Sequence, residues 1–102
     1  MKIKEFDWIN KPKEIKIINK SGLHARPASE FTRQAMHYQS EITLKNLTTG
    51  RVGNAKSIIS VLEMGLVRGT TLQIFAQGDD ETEAVEALTR LVESGFGMEE
   101  ER

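Results

Sequence analysis

Polar and apolar positions alternate along the chain in a way that separates short strands from longer helical stretches. Residues 13–19 alternate through Ile15 and Ile17, the pattern of a half-buried strand. Further on, Ala28, Phe31 and Ala35 fall on one helical face and predict a helix to about Tyr38. Pro27 fixes its own φ and disfavours the α region for Arg26, which puts the expected helix start at Pro27. Ile42 and Leu44 share one face of a second strand, 41–45. A hairpin connection over 46–50 leads to a third strand, 51–55, weakened by Gly53. Ser57 is placed to cap a helix over 58–64, and Gly65 closes it. Leu72, Ile74 and Ala76 alternate within a fourth strand, 70–76. Ala84, Val85, Leu88, Leu91 and Val92 then form the clearest helical stripe, over 81–94, with Gly95 ending it. Asp80 with Glu83 reads as a capping box at its start.

The resulting order, β-α-β-β-α-β-α, predicts an α+β fold: an open-faced sandwich with a four-stranded antiparallel sheet and three helices on one face. The domain is expected to span residues 13–95, after an N-terminal extension of residues 1–12 and before an acidic tail of residues 96–102. In the extension, Phe6, Trp8 and Ile9 are too apolar for a purely solvated tail, while Lys2, Lys4, Glu5 and Asp7 are too polar for a membrane anchor. Packing on the domain, or an added edge contact, is expected there; a partner-binding arm is the alternative.

Composition narrows the functional classes. A chain of 102 residues holds one modest core. It has no cysteine, so neither a disulfide framework nor a thiolate metal site is available. No apolar run approaches the ~20 residues needed to span a bilayer, and the N-terminus lacks a signal-peptide core. The expectation is a cytoplasmic protein with no membrane insertion. Residues 1–57 carry 11 Lys/Arg against 5 Asp/Glu, a net +6, whereas residues 58–102 carry 3 against 10, a net −7. The basic half favours a partner with an acidic docking surface. Nucleic acid is disfavoured, because stacking needs aromatics and the chain has six.

The stretch from Ser21 to Ala28 carries the chemistry. His24 and Arg26 sit in the loop that enters the open end of a helix. Unpaired amides there, with the positive end of the helix dipole, make an anion site. Imidazole is a competent nucleophile at neutral pH, and a guanidinium two residues on can pair with phosphate oxygens. Phosphate carried on His24 is the sharp reading; a loop or capping histidine is the bland one. His37 has no motif around it. Residues 58–64 hold more apolar side chains than one buried face absorbs. Ile58 and Val61 can face the core, and Ile58, Ile59 and Leu62 are the candidate docking positions, an end-packed core helix being the alternative.

Gly22-Leu23-His24-Ala25-Arg26-Pro27-Ala28 resembles the active-site signature of HPr, the histidine-containing phosphocarrier family of the bacterial phosphoenolpyruvate:sugar phosphotransferase system. Lys56-Ser57-Ile58-Ile59-Ser60-Val61-Leu62-Glu63-Met64-Gly65 resembles the regulatory-serine helix of the same family, and a third match runs from Gly69 to Gly78 and the final helix. The resemblance implies a carrier rather than an enzyme, with no cofactor and no metal. Enzyme I would give a phosphoryl group to His24, at Nδ1, with Arg26 steadying its oxygens, and a IIA protein or domain would take it. It implies a monomer, exposed at His24 because two partners must reach the same nitrogen. HPr kinase/phosphorylase and a catabolite control protein are further candidate partners, through phosphorylation of Ser57. Relative to the family pattern, the 46–50 hairpin is about two residues longer, and Ile59 stands where many members have Met. Rival readings are a catabolite-repression or nitrogen-pathway regulator acting mainly through protein binding, a small hydrolase using His24 as base or nucleophile, and a plain interaction domain. Paralogues of the first kind typically lack the active histidine.

Overall fold

A computed structural model describes residues 12–97; residues 1–11 and 98–102, and with them nearly all of the expected extension and most of the expected tail, lie outside the described residues. Strands β1 (Lys13–Lys16), β2 (Glu41–Asn46), β3 (Val52–Asn54) and β4 (Thr71–Gln77) form one sheet in the order β1-β4-β2-β3. Every neighbouring pair is antiparallel. Helices α1 (Ala25–Ala35), α2 (Ile58–Glu63) and α3 (Glu81–Glu93) complete the expected order, and a 3₁₀ turn (Gly95–Gly97) follows. The α+β open-faced arrangement is therefore the one the patterning predicts.

Period-two burial orients the sheet. Ile15, Ile17, Ile42, Leu44, Leu72, Ile74 and Ala76 are buried, and the polar positions between them point away. The helices answer with Ala28, Phe31 and Ala35 from α1, Val61 from α2, and Ala84, Leu88 and Val92 from α3. Phe31 is fully buried, and such a side chain contributes roughly 1.5–3 kcal/mol by leaving water. Ladder pairing in β1 stops at Lys16, short of the predicted residue 19. Even so, Ile17 donates to the Thr70 carbonyl at 2.9 Å and accepts from the Gly69 amide at 2.8 Å before the chain turns away. The weakness that Gly53 brings to β3 has a packing reason. A Cβ there would lie 2.6 Å from Met64 Sδ and 2.8 Å from Ser60 Oγ, so a glycine lets α2 rest on this strand without displacing those two side chains.

Three local expectations are corrected. Ile58 does not face the core; it is 40% exposed, while Val61 alone of α2 is fully buried. A six-residue helix presents little more than one turn to the sheet, and its first residue lies off the contact line. Phe96, placed in the tail by its position after Gly95, is only 6% exposed and belongs to the core. Positive φ at both Gly95 and Phe96 turns the chain back to the core, which carries the folded unit to Gly97.

The third correction concerns Asp80. It occupies the position before α3 but makes no side-chain cap bond to that helix. Its carboxylate instead accepts from the Gln39 amide at 2.8 Å, the Ser40 amide at 3.0 Å and the Ser40 hydroxyl, tying the head of α3 to the bend before β2. The Ser40 hydroxyl above all, then the Gln39 amide, hold the Asp80 carboxyl below the usual aspartate range. A carboxyl with a lowered folded-state pKa stabilises the fold above its unfolded value, about 3.9, and loses that contribution as pH falls through the folded value. Asp80→Asn is thus expected to lower the thermal midpoint at pH 7, with the gap to the parent closing below about pH 4. Melting curves from about pH 7 to about pH 2 check it; a gap constant over that range would refute the charged anchor.

Candidate functional site

The loop between β1 and α1 is held from both sides. Asn19, 5% exposed, donates through Nδ2 to the Gly22 carbonyl at 2.8 Å, and the Gly22 amide donates to the Asn19 carbonyl at 3.1 Å. The Leu23 amide then donates to the Leu66 carbonyl at 2.9 Å, and the Leu23 side chain is buried. Gly22 has φ +67°, and a Cβ built on it falls within contact distance of the Leu66 carbonyl oxygen and 2.9 Å from Val67 Cα. Only glycine accepts both the left-handed backbone and the close approach. Asn19 therefore braces the loop from within, Gly22 and Leu23 fasten it to the segment that follows α2, and His24 emerges from it on a fixed base.

His24 is exposed, in extended backbone (φ −134°, ψ 154°) immediately before α1, and its side chain makes no capping bond. Ala25 follows with φ +52°, a conformation that costs an L-residue about 1–2 kcal/mol. The helix is entered two residues earlier than predicted, but its first residue is left-handed, so right-handed geometry starts only after Ala25. Pro27, within the first turn, lacks an amide that would have no intrahelical partner there. The remaining first-turn amides and the dipole face the end of the helix where His24 stands. Arg26 lies in the same turn, with Nε 3.9 Å from Glu30 Oε2 and the two side chains 58% and 30% exposed.

The structure thus brings His24 and Arg26 together at one loop–helix junction and leaves Ser57 on a separate element. Ser57 has extended backbone and its hydroxyl accepts from the Ser60 amide at 3.2 Å, the N-cap expected of it. Helix α2 packs against α1, and Lys56 Nζ donates to the Tyr38 carbonyl at 2.6 Å just beyond the end of α1. On the outer side of α2, Ile59 is 64% exposed and Leu62 39%, beside Ile58.

Sequence reasoning missed two residues that shape this region. Asn19 reads as turn chemistry and is in fact a buried brace. Asn46, also buried, donates through Nδ2 to the Met64 carbonyl at 3.0 Å, while its Oδ1 accepts from the Thr48 and Thr49 amides at 2.9 and 3.2 Å. It joins the β2–β3 turn to the end of α2. Its polar side chain at an inward position of β2 was the available signal.

Residues 11–94 match the family described as PTS HPr component phosphorylation site. The phosphocarrier protein HPr of Haemophilus influenzae is 41% identical over 80 residues, covering 78% of this chain and 92% of that protein. The crystal structure of HPr-C-His from Thermoanaerobacter tengcongensis superposes with a TM-score of 0.83 at 43% identity, covering 87% of this chain and 98% of that one. The Bacillus subtilis catabolite repression protein Crh, described as a swapped dimer, is more distant, with a TM-score of 0.66 at 35% identity over 81% of this chain and 93% of that one. Fold, loop and sequence agree, and the chain belongs to the HPr family of phosphotransferase-system phosphocarriers.

Proposed function

We propose that His24 receives a phosphoryl group from phospho-Enzyme I and passes it to IIA components of sugar transporters. The observation that carries this reading is an exposed imidazole on a loop pinned by Asn19 and Leu66, at the open end of α1. The Nδ1 lone pair forms the N–P bond as the bond from phosphorus to the donor breaks, and the donor leaves with that electron pair. The same exchange in reverse transfers the group to the acceptor. Exposure suits a nitrogen that two proteins must reach in turn.

Arg26 supplies the countercharge. Its contact with Glu30 is long and half-exposed, a kind of helix pair worth only about 0.3–0.5 kcal/mol, so giving up that contact for phosphoryl oxygens costs little. Arg26→Ala is expected to slow transfer roughly 10- to 100-fold, the scale of losing one charged oxygen-binding group. Glu30→Gln should leave the rate near that of the parent. Single-turnover transfer from phospho-Enzyme I measures both; equal rates for Arg26→Ala and the parent would remove Arg26 from the mechanism.

Ile58, Ile59 and Leu62 supply an exposed apolar surface for the protein partners. Phosphate on Ser57 would stand at a helix start, where negative charge is tolerated, yet alter that apolar surface. HPr kinase/phosphorylase and a catabolite control protein are the partners of this second route. The proposed setting is a cytoplasmic monomer; among the described residues, no helix is long and apolar enough to cross a membrane.

Incubation with labelled phosphoenolpyruvate and Enzyme I tests the assignment. A carrier yields acid-labile, alkali-stable label in stoichiometric amount, whereas catalytic release of inorganic phosphate would mark a hydrolase. Acid-stable label on Ser57, formed with the kinase and ATP and without label on His24, would favour the regulator.

A further inference from the structure

A groove of about 490 Å³ runs beside α3 and the start of β1, lined by Pro12, Lys13, Val85, Glu86, Thr89 and Arg90 among others. We propose that the first eleven residues of this same chain occupy it, with Trp8 as the anchoring side chain.

Four observations lead there. Pro12 and Lys13 are lining residues and also the point at which residues 1–11 join the domain, so the segment is tethered at the groove itself. Such a tether supplies an effective concentration on the order of millimolar, and modest contacts then suffice for docking. Reach matches as well. The lining stretch of α3 runs from Thr82 to Glu93, a length of about 16 Å at 1.5 Å per residue. Trp8 and Phe6 stand four and six residues before Pro12, within extended reaches of about 13 and 20 Å.

The chemistry is complementary. Thr89 is 7% exposed, lines the groove, and its hydroxyl has no hydrogen-bond partner among the described residues. Val85 is half-buried against the core and offers an apolar floor. Glu86 and Glu93 line the same groove and are opposite in charge to Lys4 and Lys11 of the segment, although Glu86 already lies 3.7 Å from Arg90. The fourth observation is topological: β1 is an edge strand of four residues, paired only with β4 among the described residues. A segment lying along its flank would shield an edge otherwise open to another chain.

The sequence provides its own probes, a single Trp and no Cys. In the full chain, acrylamide is expected to quench Trp8 about threefold less, and the emission to lie further to the blue, than in a peptide of residues 1–12, as for an indole removed from water. The pair Ile9→Cys with Glu86→Cys should close an intrachain disulfide in dilute solution, and the control pair Ile9→Cys with Lys45→Cys should not. Quenching equal to the peptide's would overturn the proposal. So would protection of Trp8 that falls on dilution or an interchain disulfide, which assign the groove to a second copy. Protection of Trp8 without the intrachain disulfide in the first pair would overturn it too, by placing the segment elsewhere on the domain.

Discussion

His24→Ala is expected to abolish acquisition of label from phospho-Enzyme I while leaving the fold intact. The ring is exposed and makes no capping bond, so its removal should change stability by no more than about 0.5 kcal/mol, as for ordinary surface substitutions. The chemical loss is of another order. Without the accepting nitrogen no N–P bond can form, and transfer should fall by at least about 10³-fold. His37, the chain's other histidine, is exposed just past the end of α1, remote from the open end of the helix. His37→Ala should therefore transfer at the parental rate. Quench-flow measurement of both variants, with circular dichroism to confirm folding, decides the matter; persistent acid-labile label in His24→Ala would transfer the role to another residue.

Gly22→Ala should show the opposite separation, a large loss of stability from one added methyl. The left-handed backbone costs an alanine about 1–2 kcal/mol, and intrusion on fixed backbone atoms adds about 1–3 kcal/mol. A net loss of about 2–5 kcal/mol lowers the melting temperature by roughly 10–25 °C in a domain of this size. The new Cβ presses on the Leu66 carbonyl, the acceptor of the Leu23 amide. That amide should exchange with solvent much faster in the variant, and transfer through His24 should slow even at temperatures where the protein stays folded. Unchanged exchange at Leu23 would show that the loop does not depend on this contact.

Periodicity makes the elements legible. The buried alternation in β2 and β4 and the stripe of α3 are sufficient to order the strands and helices, because each pattern is local. The placement of His24 and Arg26 at a helix entry and the Ser57 cap are legible for the same reason: the signal for each lies within a few neighbouring residues. What escapes is long-range or conformational. Asp80 with Glu83 satisfies a local capping rule, but two amides and a hydroxyl some forty positions earlier compete for the same carboxylate and win. Ala25 entering its helix with positive φ has no sequence signal, since alanine is otherwise an ordinary helix former. The neighbours of Phe96 assign it to solvent, and two successive left-handed residues bring it back to the core.

The bond from Leu23 to Leu66 also has a temporal meaning. During translation His24 is made well before Leu66, and the Thr70 and Gly69 partners of Ile17 come later still. Domains fold as units, and contacts this distant in sequence close late. A nascent chain would thus display the histidine without the platform that aims it, and competence would arrive only once β4 has been made and the whole sheet can close.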